Sequence, residues 1–121
     1  MGLRGQMAKD EYYHILNRGN NKQPIFADDN DRFRLLFSIL YFQSPKIGFS
    51  EISSTVKLFK RKFVLETYLE RIVKTRAVEL IAFTLMPNHF HLLLHQRAEG
   101  GISKYMQRIQ NSYTKYFNTR H

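Results

Sequence analysis

Two histidines separated by one residue, His89 and His91, have the types and spacing that most directly suggest chemistry. If this stretch is a β-strand, both imidazoles project from one face while Phe90 projects from the other. Two neutral imidazoles roughly 6 to 7 Å apart along a strand can converge on one divalent ion. Most such pairs bind nothing, so histidines that only pack are the competing interpretation. His95 shares the face but lies further along, which makes it a less suitable ligand.

The kind of metal follows from what can complete the ligand set. Two histidines do not enclose an ion, so a third ligand, water or substrate oxygens must fill the remaining positions. If phosphate oxygens do so, the ion is expected to be Mg²⁺ or Mn²⁺ rather than a structural Zn²⁺. The chain has no cysteine, which excludes a thiolate site and a disulfide framework.

The elements that would position the pair can be inferred from the hydrophobic pattern. Residues 78–85 and 89–95 predict two strands joined by a turn at Pro87 and Asn88. A first strand is predicted at residues 12–16, and helices at about 64–74 and 102–118. A further helix follows a cap at Asp28, Asp29 or Asn30. This order predicts one α+β domain over residues 1–121, with an antiparallel sheet, helices packed against it and a surface insert at residues 43–63.

The charge of the chain points to a polyanionic partner. Lys and Arg number 19 against 10 for Asp and Glu, a formal net charge of +9 that favours nucleic acid over a surface kept basic for solubility. No apolar run is long enough to cross a membrane, and the N-terminus has no signal-peptide core. A cytoplasmic protein without a membrane partner is therefore expected.

The residues around the histidine pair resemble a known family. Residues 86–94, MPNHFHLLL, are similar to the signature of IS200/IS605-like HUH single-strand transposases, most closely the branch of the REP-associated tyrosine transposases. Three other stretches agree in family order: residues 13–21 with 24–26, the capped helix after Asp28, and residues 101–106 through 116–118. The resemblance therefore spans almost the whole chain.

The resemblance implies a ferredoxin-like domain whose central strand carries two metal ligands, here His89 and His91. In this family the ion is held against the scissile phosphate of single-stranded DNA, usually near a hairpin. A tyrosine from a later helix attacks that phosphate and forms a 5′-phosphotyrosine link, and an Asn or Gln four residues after it completes the metal site. Because family members dimerise, the resemblance also implies a homodimer.

The chain departs from the family pattern at its end, where members continue with another strand and the tyrosine helix. Of its seven tyrosines, only Tyr13 has an amide four residues on, and it falls in the first strand. Tyr105, Tyr113 and Tyr116 lie on an apolar helix stripe, where core packing is the expected role. We therefore assign no nucleophile, expect a truncated chain that is inactive alone, and leave open whether it is an enzyme.

Two sets of residues are candidate DNA contacts. A turn-rich loop after the first strand matches a family motif and predicts phosphate and base contacts by Arg18, Asn20, Asn21 and Lys22. A cationic helix face, which could equally be a solvated surface, contributes Lys104, Arg108 and Lys115. Two alternatives to a metal-dependent DNA strand transferase stay open. One is a non-catalytic binder of hairpin or single-stranded nucleic acid, and the other is an oligomerising domain with packed histidines.

Overall fold

The computed structural model describes residues 7–19, 23–48 and 65–121, with only the backbone for residues 65–68. Three strands and three helices occur in these ranges. In chain order they are β1 (Tyr12–Arg18), α1 (Asp29–Tyr41), α2 (Leu65–Thr75), β2 (Val78–Met86), β3 (His89–Gln96) and α3 (Gly101–Arg120). The prediction of an α+β fold with an antiparallel sheet is confirmed.

The sheet has the order β1-β3-β2, and both pairings are antiparallel. The strand with the histidine pair is therefore the central one, and its backbone is hydrogen-bonded on both edges. Arg18 pairs with His89 on one side, and Met86 pairs with His89 on the other. A bulge at Ile81, between Leu80 and Ala82, interrupts the register of β2 well away from the histidines. The central position keeps the two ligand candidates on a stiff support.

The two faces of the sheet differ in what covers them. Phe90, Leu92 and Leu94 of β3 are almost fully buried and share the hydrophobic core with the inner side of α3, formed by Ile102, Tyr105, Met106 and Ile109. The alternate residues of β3 project from the other face, which no described helix covers. We call this the open face. It carries all three histidines of the strand.

Helix α1 begins at a cap that the sequence allowed at three positions. Asp28 is the N-cap, and its side chain accepts a hydrogen bond from the backbone N–H of Asp31. The core-facing stripe centres on Leu35 and Ile39, whereas Phe33 and Leu40 are only partly buried. The helical spacing of apolar residues alone does not fix which side of this helix meets the core.

Two buried glutamines fasten the ends of the elements. The side chain of Gln43 accepts a hydrogen bond from the backbone N–H of Leu80 and donates one to Leu40 O. Its backbone carbonyl accepts a hydrogen bond from the N–H of Ala77. Gln96 accepts from the N–H of Ile102 at the start of α3 and donates to Met7 O. Each side chain satisfies backbone groups that would otherwise be buried without partners.

The described part of the predicted insert packs against the core. Gln43, Ser44 and Ile47 are buried, and residues 49–63 lie outside the described residues. The insert at residues 43–63 therefore stays a prediction. Within the described ranges, no helix is long and apolar enough to span a membrane.

Candidate metal and DNA site

The histidine pair lies on the open face near the β2–β3 turn. The rings of His89 and His91 have their centroids 5.1 Å apart and stand at 82° to each other. Both side chains are partly exposed, while Phe90 between them is buried. The alternation predicted from the sequence is thus present, and both imidazoles are accessible from the same side.

The partner of each ring determines which nitrogen can bind an ion. Nδ1 of His89 lies 2.8 Å from Oδ1 of Asn88, the residue before it in the turn. An amide oxygen only accepts, so Nδ1 of His89 carries the hydrogen and Nε2 keeps its lone pair. His95 has the same arrangement, with Nδ1 bonded to Oε1 of Glu79 at 3.1 Å. At both histidines Nε2 is the nitrogen available to a ligand.

His91 has a different partner, which the sequence did not predict. Its Nδ1 lies 2.9 Å from Nε2 of His14, a β1 residue on the same face. The β1–β3 register brings the two together, because His14 is opposite Leu93 and therefore diagonal to His91. Alternation along β1 puts His14 on one face with Leu16 and Arg18, and the pairing register determines which β3 residue it meets.

The surroundings of His91 favour its neutral form. Its pKa is lowered from the usual value, first by desolvation and then by the nearby His14, His89 and Arg18. A neutral imidazole is the form that ligates metals. The direction of this shift is therefore compatible with a ligand role, and the geometry of the rings carries the argument.

The donor set fits a site with two protein ligands. Over residues 7–19, 23–48 and 65–121, no group of three or more His, Cys, Asp or Glu side chains could hold a metal ion. Nδ1 of His91 and Nε2 of His14 face each other across a hydrogen bond, so His14 does not point a lone pair at an ion shared with Nε2 of His91. What fits is an ion held by two Nε2 atoms, with its remaining positions left to water or phosphate oxygens.

The loop predicted to contact DNA is attached to the turn that precedes the histidines. The N–H of Gly19 donates to Asn88 O at 2.9 Å, and the N–H of Ile25 donates to Pro87 O at 2.8 Å. Arg18 is exposed and is paired with His89 across the strands. Asn20, Asn21 and Lys22 lie outside the described residues, so their DNA contacts stay predictions. Both ends of the loop are nonetheless fixed beside the histidine pair.

Gly19 should not tolerate a side chain. A Cβ built there would lie 2.3 Å from the backbone oxygen of Gln23, so Gly19→Ala must push the two ends of the loop apart. We expect Gly19→Ala to weaken binding of single-stranded hairpin DNA about tenfold while the domain stays folded. Gly48→Ala is the matched control because nothing lies within 4 Å of its Cβ. Fluorescence anisotropy with labelled DNA measures the difference, and equal affinities for both variants would contradict it.

The cationic helix face is only partly available. Lys104 and Lys115 are exposed on α3. The guanidinium of Arg108 lies 4.4 Å from the centre of the Phe42 ring and donates to Ser44 O at 3.0 Å. Desolvation also lowers its pKa. The structure thus places Arg108 against the end of α1, where it joins two helices, and leaves the two lysines facing solvent.

Comparison with known proteins identifies the family of the chain, which the geometry alone does not. A family model described as "Transposase IS200 like" matches residues 8–121. The chain belongs to the IS200-like transposase family. No curated protein and no solved structure matches it. Membership makes this a domain of a protein that acts on DNA in transposition.

The helix tyrosines of this IS200-like transposase are poor nucleophiles where they stand. Burial raises the pKa of Tyr105, whose hydroxyl donates to Ile39 O inside the core. Desolvation likewise raises the pKa of Tyr113 and Tyr116, which bond Ile25 O and the Asp31 carboxylate. A raised pKa means that the attacking phenolate is disfavoured. Tyr105 lies in the core and Tyr113 packs against it, as the apolar stripe predicted, whereas Tyr116 lies outside this cluster and bonds Asp31.

A cleft of about 530 Å³ in the transposase domain lies on the other side of the sheet from the histidines. It runs between the end of β1 and the second half of α3, and its lining includes Arg18, Gln110, Tyr113 and Phe117. Neither His89 nor His91 lines the cleft, although Arg18, which is opposite His89, does.

Proposed function

We propose that this transposase domain binds Mg²⁺ or Mn²⁺ through Nε2 of His89 and Nε2 of His91, next to a phosphate of single-stranded or hairpin DNA. One observation carries the proposal: on the exposed side of a rigid central strand, each ring has its Nδ1 hydrogen-bonded and its Nε2 left for an ion. The competing interpretation is that both histidines only pack. It does not explain why Nε2, rather than Nδ1, is left without a hydrogen bond in both rings.

The surrounding residues suit a phosphate partner. When bound, the ion would polarise the phosphoryl oxygens and neutralise developing negative charge. Arg18, opposite His89, can contact the next phosphate. Lys104 and Lys115 are exposed on α3, on the other side of the sheet, where they could contact phosphates further along the strand. Arg108 is not part of this proposal because its guanidinium is already engaged with Phe42 and Ser44.

Unpaired bases need exposed ring faces, and the open face supplies one. Tyr12 is 60% exposed and stacks on His95, with centroids 4.6 Å apart. Leu93 exposes apolar surface between this ring and the histidine pair, and Leu16 exposes apolar surface directly beside His91. Aromatic stacking is tolerant of sequence and stabilises single strands by about 1 to 3 kcal/mol per base. This surface therefore favours a single strand over a duplex.

The reaction that we infer is cleavage and strand transfer by a tyrosine nucleophile supplied from outside residues 1–121. Tyr12 lies at the far end of the open face, opposite His95 rather than His91. Tyr13 lies on the helix side of β1, Tyr41 is buried in α1, and the helix tyrosines are engaged as described. The side chain of Tyr68 is outside the described residues.

The proposal has two further parts. Residues 86–94 support membership of the REP-associated branch, and the family resemblance supports a homodimer.

A second candidate function is binding of hairpin or single-stranded nucleic acid without cleavage. It is favoured by the placement of the described tyrosines, none of which lies beside the histidine pair. Both functions use the same surface, and they differ in whether a covalent link forms.

Two gels with labelled hairpin DNA carrying a single-stranded flank test the proposal. On a native gel we expect retention of the DNA to be stronger with Mn²⁺ than with EDTA, and the His89→Ala variant to lose that difference. On a denaturing gel we expect no shifted band from residues 1–121 alone. The metal site would be refuted if retention of the DNA changed neither between Mn²⁺ and EDTA nor between the wild type and His89→Ala. A covalent band would instead show that the nucleophile lies within this chain.

A further inference from the structure

We propose that His14 is a positioning residue for the metal site: it accepts a hydrogen bond from Nδ1 of His91 and so keeps the lone pair of His91 on Nε2. The inference rests on the proposed metal site and deepens it. His14 lies within residues 13–21, which agree with the family pattern, but the resemblance gives it no role.

The contact is well defined by the strands that carry it. Nε2 of His14 and Nδ1 of His91 are 2.9 Å apart, and the two rings are nearly parallel, at 7°, with centroids 5.0 Å apart. Their backbones are held in register by the β1–β3 ladder from Tyr12 to Arg18. A diagonal pair across two hydrogen-bonded strands needs no loop to hold it in place.

The direction of this hydrogen bond decides whether His91 can bind an ion. A neutral imidazole has one N–H, so only one of its nitrogens has a lone pair for a metal. If Nε2 of His14 accepts, the hydrogen is on Nδ1 of His91 and Nε2 is free. If Nε2 of His14 donates, the hydrogen of neutral His91 is on Nε2, which then cannot ligate.

The neighbouring ligand shows which direction suits the site. Asn88 fixes His89 through an oxygen that can only accept, so His89 offers Nε2. With His14 accepting, His91 offers the equivalent nitrogen on the same face, and one ion can use both. A partner that holds the second nitrogen of a ligating histidine typically changes metal affinity by about 10- to 100-fold.

Three variants separate this role from mere packing. His14→Leu removes the acceptor, His14→Gln keeps a side-chain oxygen that can accept, and His95→Leu removes a histidine of the same face that contacts neither ligand. The Kd for Mn²⁺, from the electron paramagnetic resonance signal of the free ion, should rise about 10- to 100-fold in His14→Leu. His14→Gln should recover most of this loss, and His95→Leu should match the wild type.

A second measurement does not require metal at all. Long-range ¹H–¹⁵N correlation spectra of the metal-free protein at about pH 8 report which nitrogen of His91 carries the hydrogen. We expect the Nδ1–H tautomer in the wild type and in His14→Gln, and a shift towards Nε2–H in His14→Leu. An Nε2–H tautomer in the folded wild type, or a tautomer and Kd unchanged by His14→Leu, would overturn the role of His14. Should the wild type show the expected tautomer and yet bind no Mn²⁺, the proposed metal site would fail while the hydrogen bond stands.

Discussion

Alanine at His91 is expected to weaken Mn²⁺ binding by more than about 100-fold, because a first ligand matters more than the partner that orients it. The same loss is expected for His89→Ala. Each substitution removes one of the two imidazoles in the proposed site, and a single remaining nitrogen gives an ion little advantage over water. Isothermal titration with Mn²⁺ measures the loss directly.

The control for this result lies on the same strand. His95→Ala removes an imidazole from the same face, bonded to Glu79 and stacked on Tyr12 rather than placed near the pair. We expect its Mn²⁺ affinity to equal that of the wild type. Thermal unfolding should show all three variants folded, because partly exposed side chains contribute little to the core. Equal loss in all three variants would mean that the ion does not bind specifically at His89 and His91.

The largest effect on stability is expected at Asp31, a carboxylate with no exposed surface in the first turn of α1. It accepts hydrogen bonds from the N–H of Ala27 and from Tyr116, Arg120 and His121 near the end of α3. Asp31→Ala leaves these groups without their common acceptor and should cost about 3 kcal/mol of unfolding free energy. By the usual scaling for a domain of this size, Tm should fall by roughly 10 to 20 °C.

Asp29→Ala provides the comparison two residues away. The Asp29 side chain is 92% exposed and pairs with Arg32 one turn further along the helix. Exposed pairs of this kind contribute little, so the change should stay within about 0.5 kcal/mol. Calorimetry or circular dichroism of both variants tests the contrast. A similar Tm for Asp29→Ala and Asp31→Ala would show that the buried network does not stabilise the fold.

The contribution of Asp31 should also appear in how the stability of the wild type depends on pH. Burial by itself would raise the pKa of Asp31, but the hydrogen bonds from Ala27, His121, Tyr116 and Arg120 lower it to about 2 from 3.8. A carboxyl group whose pKa is depressed by folding stabilises the fold above its unfolded value, and that stability is lost as the pH falls towards 2. The difference in unfolding free energy between the wild type and Asp31→Ala should therefore shrink by about 2 kcal/mol between pH 5 and pH 2.

The hairpin with the histidine pair could be predicted from the sequence because its signals are local. Two apolar runs flank Pro87 and Asn88, and alternation then puts His89 and His91 on one face whatever the rest of the chain does. The cap at Asp28 was similarly narrowed to three neighbours by residue type. In each case, the physics that decides the outcome acts between residues a few positions apart.

The features that could not be predicted from the sequence depend on contacts between distant segments. His14 is 77 positions from His91, and only the strand register brings the two rings together. Arg108 has the spacing of a cationic helix face, but the end of α1 offers it the Phe42 ring and a carbonyl, which the spacing cannot reveal. In the sequence, Asp31 looks like any acidic residue in the first turn of a helix. It is buried because the last turn of α3 packs against it.

The sheet order β1-β3-β2 also constrains the order of assembly. The β2–β3 hairpin closes through a two-residue turn, whereas β1 must close a loop of about 70 residues to reach β3, at a greater cost in chain entropy. The partners that β1 brings to the histidine pair, His14 and Arg18, therefore join through the more non-local of the two pairings. A hairpin without β1 already carries both imidazoles, but it has neither His14 beside His91 nor Arg18 beside His89. The proposed recognition of a metal-bound phosphate would therefore require that the N-terminal strand has docked.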